Sequence, residues 1–278
     1  MSTWEPGRYF EQLELEGPYS GVPDHLFGPL VGWVTEKVGR PVPLFTVATT
    51  LRLPIKGDPL RNTGHFGVLL NTFEGWLRAD PGFLLDAIEV ALAKLDLHYP
   101  DTIELEVALR LGNSAYQLRD DHKALERRIE AGVKEQVQTA AALDPKKAGF
   151  FLTSAWNHAY GLKTDPSKSY GDSIKAVECA VIPVVEPNNS KATLGTSLGE
   201  LRKTTDKWMF SIGSGVEGID AIIKVTSLLW GGQTSRHGSG RAPVPETQEA
   251  AEAAVHLAAT LVQWFASGAI QKRNPPST

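Results

Sequence analysis

The chain has 278 residues, of which 42% are hydrophobic and 22% charged, and its net charge is −4. This composition is that of a folded globular protein and excludes wholesale disorder. Charged residues interrupt every apolar run before it reaches the roughly 18 residues of a membrane-spanning helix, so we expect no membrane contact. The start of the chain lacks the basic-then-apolar pattern of a signal peptide. The single cysteine, Cys179, excludes an internal disulfide, and together these features favour a cytoplasmic protein.

The charge is unevenly distributed along the chain. Up to Asp144 there are 14 basic and 21 acidic residues, whereas the remainder has 14 basic and 11 acidic residues. A protein that coats duplex nucleic acid is normally much more basic than this. Any contact with nucleic acid is therefore expected to be local and to lie in the second half.

The first half is expected to be helical with one hairpin. Trp4 to Gly21 is interpreted as an arm that packs on the body. Pro23 and Asp24 indicate the start of a helix that ends near Gly39. The stretch 41–62 is rich in β-branched residues, and part of it is predicted to be extended. Further helices are predicted over 62–76, 81–95 and 104–111, followed by a β-hairpin within 114–129.

The second half is predicted to be a helical bundle. The helical segments are 130–143, 145–160, 165–182, 193–203, 216–230 and 245–267, with Pro183 ending the third of them. The last segment has two adjacent apolar stripes, which indicates a helix surrounded by others. The fold class is thus mainly α, with an N-terminal helical part at 1–130 and a C-terminal bundle at 131–278. We expect Trp156, Trp208, Trp230 and Trp264 to lie in the core or an interface of the bundle.

A Gly-rich polar loop before the last helix carries the best candidate for chemistry. It contains Arg236, His237 and Arg241. A histidine titrates near neutrality and can act as a general acid or base. The two guanidiniums and the backbone N–H groups at the start of the next helix can bind phosphate. The alternative is a tight turn in which His237 caps a neighbouring helix.

Several segments of the second half carry a resemblance to a known family. They are DPSKSYGDSIKAVECAVIPVV (165–185), KATLGTSLGELRK (191–203), LLWGGQTSRHGS (228–239) and the Ala-rich last helix. They resemble an uncharacterised actinobacterial family whose C-terminal region is similar to the abortive-infection C-terminal domain. That domain is a helical module allied to the HEPN superfamily. The resemblance covers roughly residues 145 to 270.

The resemblance implies metal-independent RNA cleavage across a homodimer interface. In active members, four to six residues separate an Arg from a His near the start of the last helix. His237 matches the His, but positions 230 to 232 hold Trp230, Gly231 and Gly232 in place of the Arg. Arg236 or Arg241 would have to substitute for it, or the chain is a non-catalytic relative. A second short match, from Arg61 to His65, is better explained as helix capping.

One lysine, two acidic residues and two histidines complete the set of candidates. Lys175 and Glu178 are three residues apart on one predicted helix, where an ordinary ion pair is the simpler interpretation and Glu178 is a candidate partner for His237. Glu252 and His256 are interpreted as a surface pair. His158 closes a helix. The sequence offers no Cys/His cluster, so we expect neither a metal nor another cofactor.

Two functions from different classes follow. In the first, the chain binds or cleaves RNA in phage defence or toxin–antitoxin biology. Its catalytic residues are then His237 and Arg236, and Arg236, Arg241 and Lys175 contact the nucleic acid. In the second, it is a non-catalytic helical interaction or sensor module with an operon-encoded protein partner. Whether the chain is an enzyme stays open at this point.

Overall fold

A computed structural model describes residues 18–55, 63–144, 146–213, 216–234 and 244–273. Within these residues the chain forms eleven α-helices and two antiparallel sheets of two short strands each. The expected mainly α class with a small hairpin is confirmed. The chain divides into two compact units, Met1–Arg128 and Ile129–Thr278.

Five helices and one hairpin make up the first unit. The elements are α1 (Asp24–Lys37), α2 (Pro41–Thr50), α3 (Thr63–Ala79), α4 (Pro81–Lys94), α5 (Tyr99–Leu111), β1 (Tyr116–Leu118) and β2 (Leu125–Arg127). The strands pair antiparallel with Leu118 opposite Leu125, so the predicted hairpin is confirmed. Tyr19 forms a parallel bridge with Ser114, which fixes the start of the described chain beside the end of α5.

The helix α2 contradicts the extended conformation that was expected for part of 41–62. Its prolines stand in the first turn, where the missing N–H costs nothing, so they start the helix instead of breaking a strand. The hydroxyls of Thr46 and Thr50 donate to the carbonyls of Val42 and Thr46, at 2.9 and 2.8 Å. Leu44 is among the side chains that α2 buries, and this packing outweighs the local β preference.

The helix α5 begins five residues before its predicted start. The carboxylate of Asp101 accepts a 2.9 Å hydrogen bond from the backbone N–H of His98, and Pro100 stands in the first turn. The cap therefore sets the start of the helix at Tyr99, upstream of the apolar residues that the sequence pattern relied on.

Six helices form the second unit. The elements are α6 (Ala131–Leu143), α7 (Ala148–Tyr160), α8 (Pro166–Val185), α9 (Leu194–Lys203), β3 (Trp208–Phe210), α10 (Glu217–Gly231), α11 (Gln248–Ala266) and β4 (Ile270–Lys272). The core is formed mainly by α8 with α7 and α11, and α6 packs against α7 and α11. The expected central position of the last helix is confirmed. One of its two apolar stripes is buried throughout: Val255, Ala258, Val262 and Phe265.

Two features of this unit depart from the predictions. The helix α8 continues through Pro183 to Val185, because the apolar residues around the proline remain packed in the core. The strands β3 and β4 pair antiparallel, with Trp208 opposite Lys272. They were not predicted, because strands of three residues are too short to show an alternating apolar pattern in the sequence. Trp156 and Trp208 are buried, and Trp230 and Trp264 pack against the core half-buried, as expected.

Candidate functional site

The predicted His-Gly loop lies outside the described residues, and with it Arg236, His237 and Arg241. The two ends of the loop are described. The hydroxyl of Thr234 donates a 2.8 Å hydrogen bond to the carbonyl of Val244, so these two flanking residues are in contact. This contact lies between the end of α10 and the start of α11.

A buried carboxylate lies at the base of this loop. The Glu246 side chain is near the Thr234 hydroxyl, with 3.5 Å between Oγ1 and Oε1, and the Glu246 backbone N–H donates to Ser167 Oγ at 3.3 Å. Tyr170 donates its hydroxyl to the carbonyl of Leu229 at 3.0 Å. Burial, with a contribution from the Glu246 carboxylate, raises the pKa of Tyr170 above its ordinary value. The base of the loop therefore combines a buried acid with a phenol that stays protonated.

The expected pairing of Lys175 with Glu178 is wrong. The Lys175 ammonium bonds to Asp172 instead, at 2.9 Å, on the preceding turn of α8. Glu178 accepts a 3.0 Å hydrogen bond from the backbone N–H of Leu194, the first residue of α9. The carboxylate thus satisfies a free helix N–H, which a periodic pattern within α8 alone does not reveal. The suggested role of Glu178 beside His237 stays a prediction.

A chain of hydrogen bonds joins α7 to α8 around Asp172. The Ser154 hydroxyl donates to Asp172 Oδ2 at 2.8 Å, and the Lys175 ammonium donates to Oδ1. The Asp172 side chain is only 5% exposed, whereas that of Lys175 is 55% exposed. The same ammonium lies 5.4 Å from the centre of the Phe151 ring. A buried carboxylate and an aromatic face therefore hold an exposed cation in place.

Ser154 also lines a groove of about 640 Å³ on the surface of α6 and α7. The residues of α7 that line it recur at the spacing of one helix face: Phe150, Thr153, Ser154 and Asn157. The opposite side comes from α6 and includes Gln138 and Ala141. The groove thus combines hydroxyl and amide groups with an apolar floor.

Phe150 is the exposed aromatic residue of this groove. Its side chain is 62% exposed although it is one of the largest apolar side chains of the chain. Its ring lies edge-on to Phe151, with 5.4 Å between ring centroids. Lys146 and Lys147 precede the helix and are exposed. Lys175 is a third exposed cation, and its ammonium lies over the Phe151 ring.

The groove was not predicted from the sequence. A signal for it exists, because an aromatic pair follows two lysines and polar residues then recur three, four and seven positions after Phe150. Such a polar stripe on a helix in a bundle is most simply interpreted as a solvated face. The decisive feature is the close approach of α6 and α7, which brings the stripe to the wall of a groove.

The interpretation of His256 as a surface residue is wrong. Its Nε2 atom lies 2.8 Å from the hydroxyl of Tyr160, a fully buried residue at the end of α7. The Tyr160 ring packs against Trp156 in a tilted arrangement, with 4.3 Å between ring centroids. Burial lowers the pKa of His256 below its ordinary value, against a smaller opposing effect of Glu252. His256 therefore belongs to an aromatic cluster with Trp156 and Tyr160 of α7.

Comparisons with known proteins do not assign this chain to a family. Neither the family models, nor the curated proteins, nor the solved structures contain a match to this chain. In the described part of the chain, no group of three or more His, Cys, Asp or Glu side chains is arranged to hold a metal ion. Across the same residues, every helix is too short or too polar to span a membrane.

Proposed function

We propose that the second unit binds single-stranded RNA in the groove between α6 and α7. The observation that carries the proposal is Phe150, an exposed aromatic ring that lines the groove and packs edge-on against Phe151, over whose ring the Lys175 ammonium lies. Proteins that bind single strands combine aromatic rings, on which bases stack, with cations that contact the phosphates.

Three side chains of the groove and the Lys175 ammonium would each contact a different part of the RNA. A base stacks on the exposed face of Phe150. The hydroxyl of Thr153 and the amide of Asn157 offer donors and acceptors to the edge of an unstacked base. The ammonium of Lys175 contacts a phosphate, and its partner Asp172 keeps it in position. The proposed role of Lys175 in nucleic-acid binding is therefore supported by the contacts of its ammonium with Asp172 and the Phe151 ring.

The charge of the chain is consistent with a local contact of this kind. The chain as a whole is acidic, and a duplex-coating surface is not expected. Binding through one stacking ring and the Lys175 cation needs no strongly basic domain. We therefore infer a cytoplasmic RNA-binding protein, and the resemblance to the abortive-infection module supports a role in defence or toxin–antitoxin biology.

The experiment is fluorescence anisotropy of a labelled single-stranded RNA with the full chain. Stacking of a base on an aromatic side chain contributes about 1–3 kcal/mol, so Phe150→Ala should weaken binding by about fivefold to more than a hundredfold. Leu228→Ala is the matched control, because Leu228 is also a large exposed apolar residue of the same unit but does not line the groove. Equal affinities of the two variants would overturn the proposal.

Cleavage of the bound RNA is a separate question with its own variant. Incubation of total RNA with the purified chain, without metal, should be compared with His237→Ala and with Arg236→Ala. Products that disappear in both variants would make the chain a ribonuclease with a displaced arginine. Binding without cleavage would leave an RNA-binding module. The absence of both would favour the interaction module with a protein partner.

A further inference from the structure

A polar pocket of about 440 Å³ lies between α9 and α10 of the second unit. The residues of α10 that line it recur on one face of the helix: Asp220, Ile223, Lys224 and Ser227. The other wall is formed by Arg202 in the last turn of α9 and by Thr205, which follows that helix. Sites for small molecules measure about 300–1,000 Å³, so the pocket has room for one small ligand.

The guanidinium of Arg202 is held in this pocket by the opposite helix. It donates a 2.7 Å hydrogen bond to Ser227 Oγ, and that hydroxyl donates at 2.6 Å to the carbonyl of Ile223. A cation in the last turn of a helix can bond to the free carbonyls of its own helix. Here the Thr205 hydroxyl lies at the carbonyls of Leu201 and Arg202 instead, at 3.0 and 3.2 Å. The guanidinium is therefore turned toward α10, and its other N–H groups can bind a ligand.

Two more charged residues line the pocket without binding each other. Asp220 and Lys224 lie one turn apart on α10, where side chains of opposite charge can attract each other. Within the part of the chain that the structure describes, however, neither side chain forms a hydrogen bond or an ion pair. Both are exposed. A cation and a hydrogen-bond acceptor are therefore available to a ligand, in addition to the guanidinium of Arg202.

We propose that this pocket binds a sugar phosphate, either free or as part of a mononucleotide. The phosphate lies between the guanidinium of Arg202 and the ammonium of Lys224, two groups that bind phosphate oxygens well. The Asp220 carboxylate accepts hydrogen bonds from the sugar hydroxyls, as acidic residues do with ribose in nucleotide sites. Asp220 precedes Ser227 by two helical turns, or about 10 Å, so the ligand extends beyond its phosphate. A phosphate ion alone would leave this carboxylate unused and would be repelled by it.

The test is isothermal titration calorimetry of the full chain with ribose 5-phosphate, inorganic phosphate and ribose. Ribose 5-phosphate should bind with a dissociation constant of about 1 mM or tighter, and about tenfold more tightly than either of the other two. No binding at about 10 mM, or equal affinities for ribose 5-phosphate and inorganic phosphate, overturns the proposal. Adenosine 5′-monophosphate distinguishes the two sources of this chemistry: tighter binding than ribose 5-phosphate identifies a mononucleotide, and equal or weaker binding identifies a free sugar phosphate.

Four variants test the position of the ligand. Arg202→Gln and Lys224→Gln should each weaken ribose 5-phosphate binding about tenfold, because each removes a charge-assisted hydrogen bond to the phosphate. Lys203→Gln is the matched control, since Lys203 is the next residue of α9 and is exposed but does not line the pocket. Asp220→Ala should weaken the binding of ribose 5-phosphate but not that of inorganic phosphate.

Circular dichroism verifies that the variants are folded. Two results overturn the proposal: a loss of affinity in Lys203→Gln as large as that in Lys224→Gln, or an unchanged affinity of Asp220→Ala for ribose 5-phosphate. The pocket and the RNA-binding groove have no lining residue in common. The outcome is therefore independent of RNA binding.

Discussion

The hydroxyl of Tyr160 and the Nε2 atom of His256 lie 2.8 Å apart, joining the end of α7 to the middle of α11. Tyr160 is only 2% exposed, and its ring packs against that of Trp156. A polar contact in such surroundings is maintained only when both groups keep the protonation states that allow it. The pair therefore links the stability of the second unit to pH.

The stability of the second unit should fall as the pH drops below neutrality. Burial lowers the pKa of His256 below 6.5, so in this window the unfolded chain binds a proton that the folded chain does not. The free energy of unfolding then rises with pH between the folded pKa and 6.5, and is lost toward acid. In His256→Gln this contribution should vanish. Urea denaturation at about pH 7.5 and about pH 5.5 measures the difference. The same pH dependence in both proteins would contradict the account.

The pair should also be detectable by a double-mutant cycle at neutral pH. Tyr160→Phe and His256→Leu should each cost about 1 kcal/mol, which is the typical net contribution of one hydrogen bond. The double variant should cost less than the two together, because the second substitution removes a bond that is already broken. Additive costs in thermal or urea unfolding would show that the two side chains act independently.

The groove depends on a glycine at the crossing of α6 and α7. A Cβ atom at Gly149 would overlap the carbonyl oxygen of Ala141 and crowd that of Asp144, both of which are backbone atoms. Gly149→Ala should therefore push the helices apart and destabilise the unit by about 1–3 kcal/mol. Gly199→Ala on α9 is the control, since open space surrounds it. Its expected effect is a stabilisation of about 0.5–1 kcal/mol. Calorimetry of the two variants should give shifts of opposite sign.

The contribution of Lys175 to RNA binding should be visible in its salt dependence. Each phosphate contact to a single strand adds about 0.7 to the slope of log affinity against log salt concentration. Lys175→Gln should lower the slope by about that amount. Lys203→Gln, which removes an exposed lysine on α9, should leave it unchanged. Equal slopes for Lys175→Gln and the wild-type chain would remove Lys175 from the interface.

The parts of the fold that the sequence predicts are those with a long, regular apolar period. The helix α11 is the clearest example, because its two apolar stripes already require burial on most sides. The helix α2 was missed because its β-branched residues favour an extended chain locally, while burial of Leu44 and Val47 favours the helix. Local preference is a weak guide when it disagrees with packing.

The candidate site shows a second limit of sequence reasoning. Lys175 has an acidic residue three positions before it and another three positions after it, and the helix period cannot choose between them. The neighbouring helices distinguish the two acids. Ser154 of α7 binds Asp172, whereas Glu178 is bound by the backbone N–H of Leu194. Both partners come from other helices. The pairing therefore becomes visible only when the helices are packed.

The most direct test of RNA binding in the groove is photo-crosslinking with a 4-thiouridine-labelled single-stranded RNA, followed by mass spectrometry. Trypsin cuts after Lys147 and Lys163, which releases the groove face of α7 as one peptide containing Phe150 and Asn157. The account predicts that the crosslinked RNA is attached to this peptide and that Phe150→Ala strongly reduces the yield. Crosslinks confined to other peptides, with the same yield in the variant, would contradict it.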